Sequence, residues 1–494
     1  MKSFYITTTL PYVNADPHIG HAMEFIRADV IARYKRAEKY EVFFNTGTDE
    51  HGSKIYEGAQ KENLDTKAYV DKYSERFREF CKVANISHDG FLRTTDDNHV
   101  RAAQKMWSVC FEKGDIYKAK QVIKYCIGCE MEKTDSELVD DKCPLHKNRD
   151  IEVREEENYF FKFSKYQNQL LELYENNLVI PESRQNEIKK FVEGGLHDFS
   201  ISRLKSKMPW GVAVPNDENH VMYVWFDALT SYISTLGWVD GGNNFEKFWL
   251  QNGNENRQVV QYCGKDNNKP QSAIWQAMLL SANIPATTKI VINGHIISDG
   301  QKMSKSIGNV ISPFDIIEKY NKVSDYGEEV LRFMMCHEVS THEDSDITDV
   351  SIQAAYTAYL QNGVGNQVNR ILKLSSQYIS SKDIEIILIE VEKTVLDTNY
   401  KKALDNFDIN EAIHIVTDKV KKLDEHIQSS EPFKLIKVKE TEEEAREIIK
   451  NSLIRLLDIG HHLYFFMPRT SMEIYTCVQQ NKMPEKPLFN RLEK

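Results

Sequence analysis

Residues 4–21 read FYITTTLPYVNADPHIGH. Phe4–Thr8 is filled by aromatic and β-branched residues, which suit a strand. Pro11-Tyr12 then breaks it, because proline fixes φ and has no N–H for a ladder. From Ile19 to Lys39 apolar residues recur at three and four, the spacing of a helix with one buried face. Val42–Asn45 reads as a second strand, followed by helices near Ser53–Lys61 and Thr66–Ala84. Strand, turn and helix in repetition predict βαβ units and a parallel sheet.

Farther along, the pattern breaks. Between about Asp115 and Lys207 short strands, grouped cysteines and two helical runs (Lys165–Asn177, Arg184–Glu193) read as an insertion. The alternation then resumes, with a strand at Met222–Trp225, a helix at Asp227–Thr235 and a strand at Val259–Tyr262. A helix at Pro270–Ala282 and a strand at Lys289–Asn293 follow. After about Ser345 the chain reads as all-helical, with amphipathic runs near Ser351–Ser380, Ile409–Gln428 and Thr441–Phe466, the pattern of a bundle. The fold class expected is α/β: a split doubly wound, Rossmann-like parallel sheet carrying a metal-bearing insertion, followed by an all-α helical bundle. The expected division is 1–114 and 208–295 for the two halves of the sheet domain, 115–207 for the insertion, 296–347 for a loop region and 348–494 for the bundle.

Composition narrows the class. A chain of 494 residues is too long for one ordinary core, so two or three domains are expected. It contains no run of about 18 apolar residues, so no membrane span is expected. Met1–Thr9 runs straight into a strand with no leader pattern, which points to the cytoplasm. The net charge of −11 argues against non-specific coating of nucleic acid. Local basic faces remain open at Lys189–Lys190, Arg203–Lys207 and Lys434–Lys439. Of eight cysteines, Cys81, Cys110, Cys263 and Cys336 stand singly in apolar settings, as buried reduced thiols do.

The first chemical signal is Pro17-His18-Ile19-Gly20-His21, where strand gives way to helix. In a doubly wound fold ligands sit at the carboxyl ends of the strands. A helix N-terminus there favours phosphate, and Gly20 leaves room for a nucleotide. His18 and His21 can donate hydrogen bonds to phosphate oxygens as charge builds. The second signal is Lys302-Met303-Ser304-Lys305-Ser306, with Gly308 just beyond, after the turn Ser298-Asp299-Gly300. Two lysines on a loop can clamp a triphosphate and neutralise departing pyrophosphate. Taken alone, these segments also fit capping or core histidines and a solvated basic loop.

Cys126-x2-Cys129 and Cys143-x2-His146 have knuckle spacing on both halves. Four N/S donors suit tetrahedral Zn²⁺ with no position left open, hence one structural zinc. Two unrelated thiol turns are the plainer alternative.

Together the two loops resemble those of the class I aminoacyl-tRNA synthetases. The distance from His18 to Lys302 leaves no space for the editing insertion of the leucine, isoleucine and valine enzymes. Thr8–Tyr12, Gly47–Gly52, Ile201–Arg203, Tyr223–Ala228 and Gly264–Asp266 are similar to landmarks of the methionyl-tRNA synthetase family. That likeness covers nearly the entire chain. It implies a ligase that joins L-methionine to tRNA(Met), initiator tRNA included, through an adenylate made from ATP and Mg²⁺. His18, His21, Lys302 and Lys305 would be catalytic. Gly20, Gly264, Asp266, Ile296 and Ser304 would bind ATP, with Asp266 and Gly264 at the ribose and Ile296 at the adenine. Leu10, Tyr12, Asp49, Trp225, Tyr232 and Gln271 would bind methionine. The chemistry is consistent: an ammonium needs a carboxylate such as Asp49, and a polarisable thioether needs an aromatic box.

Asn366 and Arg370, four apart on one helix face, and Phe433 would meet the anticodon, as the resemblance implies. An unpaired base is suited by amide edges, guanidinium planes and aromatic stacking. The chain departs from the family pattern at three places. Asn267 and Gln271 stand where many members have Ile and His, which implies altered inhibitor sensitivity. Phe433 replaces the usual Trp. No further dimerising domain follows the bundle, so a monomer is expected. The alternatives are another class I synthetase with a small insertion, such as the cysteine enzyme, and a non-catalytic tRNA-binding paralogue.

Overall fold

The computed structural model describes residues 2–129, 131–133, 137–251, 257–298, 300–302, 310–392 and 395–492. Six strands form the main sheet: β1 (Ser3–Thr8), β2 (Glu41–Thr48), β3 (Gly90–Arg93), β4 (Val179–Ile180), β5 (Val259–Gly264) and β6 (Lys289–Asn293). Their order is β3-β2-β1-β5-β6-β4. β1 runs parallel to β2 and β5, β2 to β3, and β6 to β4. The order reverses between β1 and β5, which makes their carboxyl ends the crevice of a doubly wound sheet. β1 is buried at five of its six positions, as a central strand covered on both faces must be.

The chain forms two compact units that are discontinuous in sequence. One comprises Met1–Asp16, Lys39–Glu79 and His88–Ile292; the other comprises Pro17–Glu38, Phe80–Ser87 and Asn293–Lys494. The first contains the sheet. Its core includes Tyr5, Trp107, Phe161, Phe226, Trp249 and Trp275, with Trp249 and Trp275 edge to face at 6.0 Å. Within it Ile116–Cys126 and Glu152–Phe161 form a long antiparallel ribbon. The ribbon is held at its base by Asp115, which accepts bonds from Lys165 at 2.5 Å, Ser281 at 2.8 Å and the Tyr166 hydroxyl. Cysteines 126, 129 and 143 lie at its far end.

One expected strand is not there. Met222–Trp225 was expected to extend the parallel sheet. Instead, Asp217–Met222 pairs antiparallel with Ser202–Leu204 and Ala213–Val214 in a separate small sheet. Val224–Ala228 is already helical, and the helix expected at Asp227–Thr235 is two short turns, Val224–Ala228 and Ser231–Ser234. The physical reason is the unbroken apolar run Val221–Phe226: periodicity does not separate a buried strand from a buried helical turn. The helix expected at Pro270–Ala282 begins as a π-helical stretch, Pro270–Ile274, before the α-helix Trp275–Ser281.

The second unit is built on the helix Ile19–Ala37, helices Pro313–Asn321 and Gly327–His337, and a bundle that includes Asn366–Tyr378, Ile409–Ser430 and Glu442–Leu463. Buried charge fixes the first helix within this unit. The Arg332 guanidinium lies 2.8 Å from the Asp29 carboxylate, both side chains fully buried. Arg332 also donates to the carbonyls of Phe466 at 2.7 Å, Phe465 and Ala84. Arg27 donates to the carbonyls of Met335 at 3.0 Å and Ser340 at 3.1 Å. Burial alone would raise the Asp29 carboxyl, but Arg332 and Arg33 outweigh it and hold it below its usual value. The four single cysteines are buried, as expected. Among the described residues no helix is long and apolar enough to cross a membrane.

Candidate active site

In the first unit the chain leaves β1 through Leu10-Pro11-Tyr12 and leaves β2 through Asp49-Glu50-His51. These two exits are stitched together. Tyr12 and Asp49 form a parallel bridge, Asp49 donates its backbone N–H to the Pro11 carbonyl at 2.8 Å, and Val13 donates to the Asp49 carbonyl at 3.2 Å. The Tyr12 hydroxyl donates to the His51 carbonyl at 2.5 Å. Thr9 donates to the Tyr262 carbonyl at 3.2 Å, which joins the ends of β1 and β5. Asp49 is buried and Leu10 half-buried.

The sequence assigns no role to Glu50 and His51 beyond their place in the Gly47–Gly52 landmark; they directly follow Asp49 and tie down its strand exit. The Glu50 carboxylate is fully buried and takes both Arg93 nitrogens, at 2.7 and 2.9 Å, with hydroxyls of Thr48 and Thr95 completing it. A bidentate, charge-assisted pair of this kind is among the stronger hydrogen-bonded arrangements a carboxylate makes. On the other side, His51 Nδ1 lies 2.6 Å from Asp227, whose second oxygen meets His99 Nε2 at 2.7 Å. Burial alone would raise the Asp227 carboxyl, but His51 and His99 hold it down at about 2. The available signal was a run of acid, acid and histidine at the end of a strand, a density of ionisable groups that marks functional sites.

Tyr232 and Gln271 are also buried in the first unit. The Gln271 side-chain amide donates to the Tyr232 hydroxyl, and Gln261 donates to the Gln271 oxygen at 2.5 Å. All three side chains are buried. Tyr232 meets Trp275 edge to face at 5.8 Å. Trp225 is half-buried. Gly264 ends β5, and Asp266 stands exposed two residues on. Asn267, one of the departures from the family pattern, donates to the Asp266 carboxylate at 3.3 Å.

The second unit holds the histidines. His18 caps the helix Ile19–Ala37. Its Nδ1 accepts from the Gly20 N–H at 3.1 Å, and His21 Nδ1 accepts from the His18 N–H at 3.3 Å. The rings stack at 3.7 Å. A Cβ at Gly20 would sit 2.9 Å from the His18 ring, so only glycine leaves that ring in place. Burial, with His18 alongside, holds the His21 imidazole well below its usual value. A neutral imidazole that accepts at Nδ1 carries its proton on Nε2. Capping and phosphate donation are therefore compatible: backbone bonds fix the tautomer whose Nε2–H can serve an anion.

Ile296 is buried in the strand Ile296–Ser298. Lys302 lies in the short strand Gln301–Lys302, which pairs with it. The Lys302 side chain, Ser304 and Lys305 lie outside the described residues.

Cys126, Cys129, Cys143 and His146 place their donor atoms within 4.8 Å of one another. Cys129 Sγ lies 3.3 Å from Cys143 Sγ and 3.2 Å from His146 Nδ1. The Cys129 N–H points to Cys126 Sγ at 3.4 Å, a bond that favours a thiolate ligand. A Cβ at Gly128 would lie 2.3 Å from the His146 ring, so the tight turn requires glycine. Three thiols and one imidazole nitrogen are a donor set that fits a tetrahedral metal. The turn is anchored by Lys54, which donates to the Gly128 carbonyl at 2.8 Å.

In the bundle, Asn366 and Arg370 lie on the helix Asn366–Tyr378 and are half-buried. That helix continues from a π-helical stretch, Tyr356–Gly365, a geometry found at functional sites. Phe433 is 38% exposed, directly after the left-handed turn at Glu431 that ends the helix Ile409–Ser430.

A parallel sheet with its order reversal at β1 and β5, a His-x-Gly-His helix cap and a thiol knuckle define a class I tRNA synthetase. The chain matches the family described as "tRNA synthetases class I (M)" over residues 4–151 and 132–372. It is 35% identical to the methionine–tRNA ligase of a Synechocystis strain, across 96% of this chain and 89% of that protein. It is 34% identical to that of Thermotoga maritima, across 98% and 76%. Among solved structures it is similar to Mycobacterium tuberculosis methionyl-tRNA synthetase in complex with methionyl-adenylate. There the TM-score is 0.87 at 29% identity, covering 99% of this chain and all of that one. The chain belongs to the methionine–tRNA ligase family.

Proposed function

We propose that this chain ligates L-methionine to tRNA(Met) at the expense of ATP, with the side chains assigned as follows. The observation that carries the reading is Asp49. It is a buried carboxylate at the carboxyl end of β2, bridged to Tyr12 at the exit of β1, in a chain that aligns along almost its full length with methionine–tRNA ligases.

Asp49 holds the substrate ammonium. Leu10, Tyr12, Trp225 and Tyr232 surround the thioether, with Gln271 fixing the Tyr232 hydroxyl. Gly264 and Asp266 take the ribose and Ile296 the adenine. The methionine carboxylate attacks the α-phosphorus, and pyrophosphate leaves. The tRNA terminal ribose hydroxyl then attacks the adenylate carbonyl, the acyl–phosphate bond breaks and AMP leaves. His18 and His21 donate Nε2–H bonds to the phosphate oxygens as charge accumulates, with Gly20, Ser304, Lys302 and Lys305 at the same triphosphate. Catalysis is positioning and electrostatics, with no covalent enzyme intermediate. Mg²⁺ arriving with ATP supplies further phosphate neutralisation. Cys126, Cys129, Cys143 and His146 hold one structural Zn²⁺. Asn366, Arg370 and Phe433 meet the anticodon. The proposed setting is the cytoplasm, and the working unit a single chain.

The deciding experiment is ATP–pyrophosphate exchange with each of the twenty amino acids. Exchange with methionine alone is expected. Exchange with cysteine instead, or with none, would refute the reading in favour of the cysteine enzyme or a non-catalytic paralogue.

A further inference from the structure

We propose that Asp424 is a positioning residue for anticodon recognition, setting the guanidinium of Arg370 before any RNA arrives. This rests on the reading of Asn366, Arg370 and Phe433 as the anticodon face. Arg370 Nη1 meets Asp424 Oδ1 at 2.7 Å, across from the helix Asn366–Tyr378 to the helix Ile409–Ser430. The same oxygen takes the side-chain amide of Gln367 at 2.5 Å, and Gln367 is only 1% exposed. The other carboxylate oxygen, Oδ2, takes the amide of Gln428, one turn along the same helix. Both oxygens are thus engaged, and the carboxylate is oriented from two helices.

Two physical consequences follow for Arg370. First, a free arginine samples many rotamers, and that freedom is lost when it orders on a base. One bond through Nη1 restricts that sampling while leaving the remaining N–H donors and the planar face for a base. The ordering is done before binding, which is where preorganised sites gain affinity. Second, the Asp424 charge balances that of Arg370. Arg370 then acts through geometry on a base rather than as a free cation on phosphate, and geometry is what carries sequence information.

Asp424→Asn separates this role from its rivals. It is measured beside Arg370→Ala and the double variant. Each is assayed with a tRNA(Met) transcript and with one carrying a single changed anticodon base. Pyrophosphate exchange without tRNA serves as the control on folding. Asp424→Asn is expected to raise the KM for the cognate transcript by about tenfold with kcat unchanged. Its discrimination against the changed anticodon is expected to shrink, and its salt dependence to steepen as a free cation is released onto phosphate. In the Arg370→Ala background it should add little, and Asp424→Glu should recover part of the loss. If Arg370→Ala leaves charging unchanged, the anticodon reading itself fails. If Arg370→Ala impairs charging while Asp424→Asn does not, or the two effects simply add, positioning by Asp424 is overturned.

Discussion

The imidazoles of His18 and His21 stack 3.7 Å apart, and each accepts a backbone N–H at Nδ1. Both Nε2 atoms are thereby donors. Replacing His21 by Ala is expected to slow methionine-dependent pyrophosphate exchange by about 100-fold, the cost of one transition-state donor. The KM for methionine should hold within twofold, since Asp49 is untouched. Because the His21 imidazole sits well below its usual value, it stays neutral through the physiological range, and its role should show no titration between pH 6 and 8. A rate step in that window that disappears in the variant would contradict this.

Asp227 joins His51 and His99 in a buried row. Asp227→Ala is expected to lower unfolding stability by about 3 kcal/mol, as the loss of one member of a buried charged set does, measured by denaturant titration. Its sign with pH follows from a carboxyl depressed from 3.8 to about 2. The contribution is complete above the unfolded value and is lost as pH falls through the folded one. The difference between parent and variant should therefore narrow only below about pH 4.

Arg332 and Asp29 form a second buried pair. Arg332→Met removes the cation and leaves Asp29 partly uncompensated, at an expected cost of about 3–5 kcal/mol. A loss below about 1 kcal/mol in the same titration would show that Arg33 and Ser87 suffice for Asp29.

Metal analysis of protein purified without chelator should find one zinc per chain. Co²⁺ in its place should give the visible bands of a tetrahedral thiolate site. Gly128→Ala, which presses a methyl group on the His146 ring, should weaken metal retention. Full retention under chelator challenge would argue against the turn geometry described.

The Gln271 amide is held between Gln261 and Tyr232, and Asn267 touches Asp266. Gln271→His, tested against inhibitors that compete with methionine, should shift their binding relative to the parent by about tenfold. Equal binding by both proteins would remove any significance from the Gln271 departure.

The legible parts of the molecule share one property: their signal is local. The alternation of Phe4–Thr8 with the following helix, the cysteine spacing and the His-x-Gly-His cap are all written within a few residues. β3 and β4 were not foreseen, since strands of four and two residues are too short to show a period of two. The helix Ile19–Ala37 was foreseen, but not its membership of the unit that contains the bundle. That depends on Arg332, some three hundred residues away. The same limit hid the pairing of Glu50 and Asp227, both within named landmarks, with Arg93 and His99, which are distant in the chain. Long-range ion pairs leave no periodicity to read.

Glu50 and His51, which directly follow Asp49, are each bound to a different distant partner. The residue preceding them has no latitude to relocate, because its backbone is dictated by its neighbours' attachments. On the proposed assignment of Asp49 to the substrate ammonium, a descendant of this chain that accepted a differently shaped amino group would have to rebuild three adjacent buried groups together. The position of this carboxylate is thus held by the fold itself, independently of what it binds.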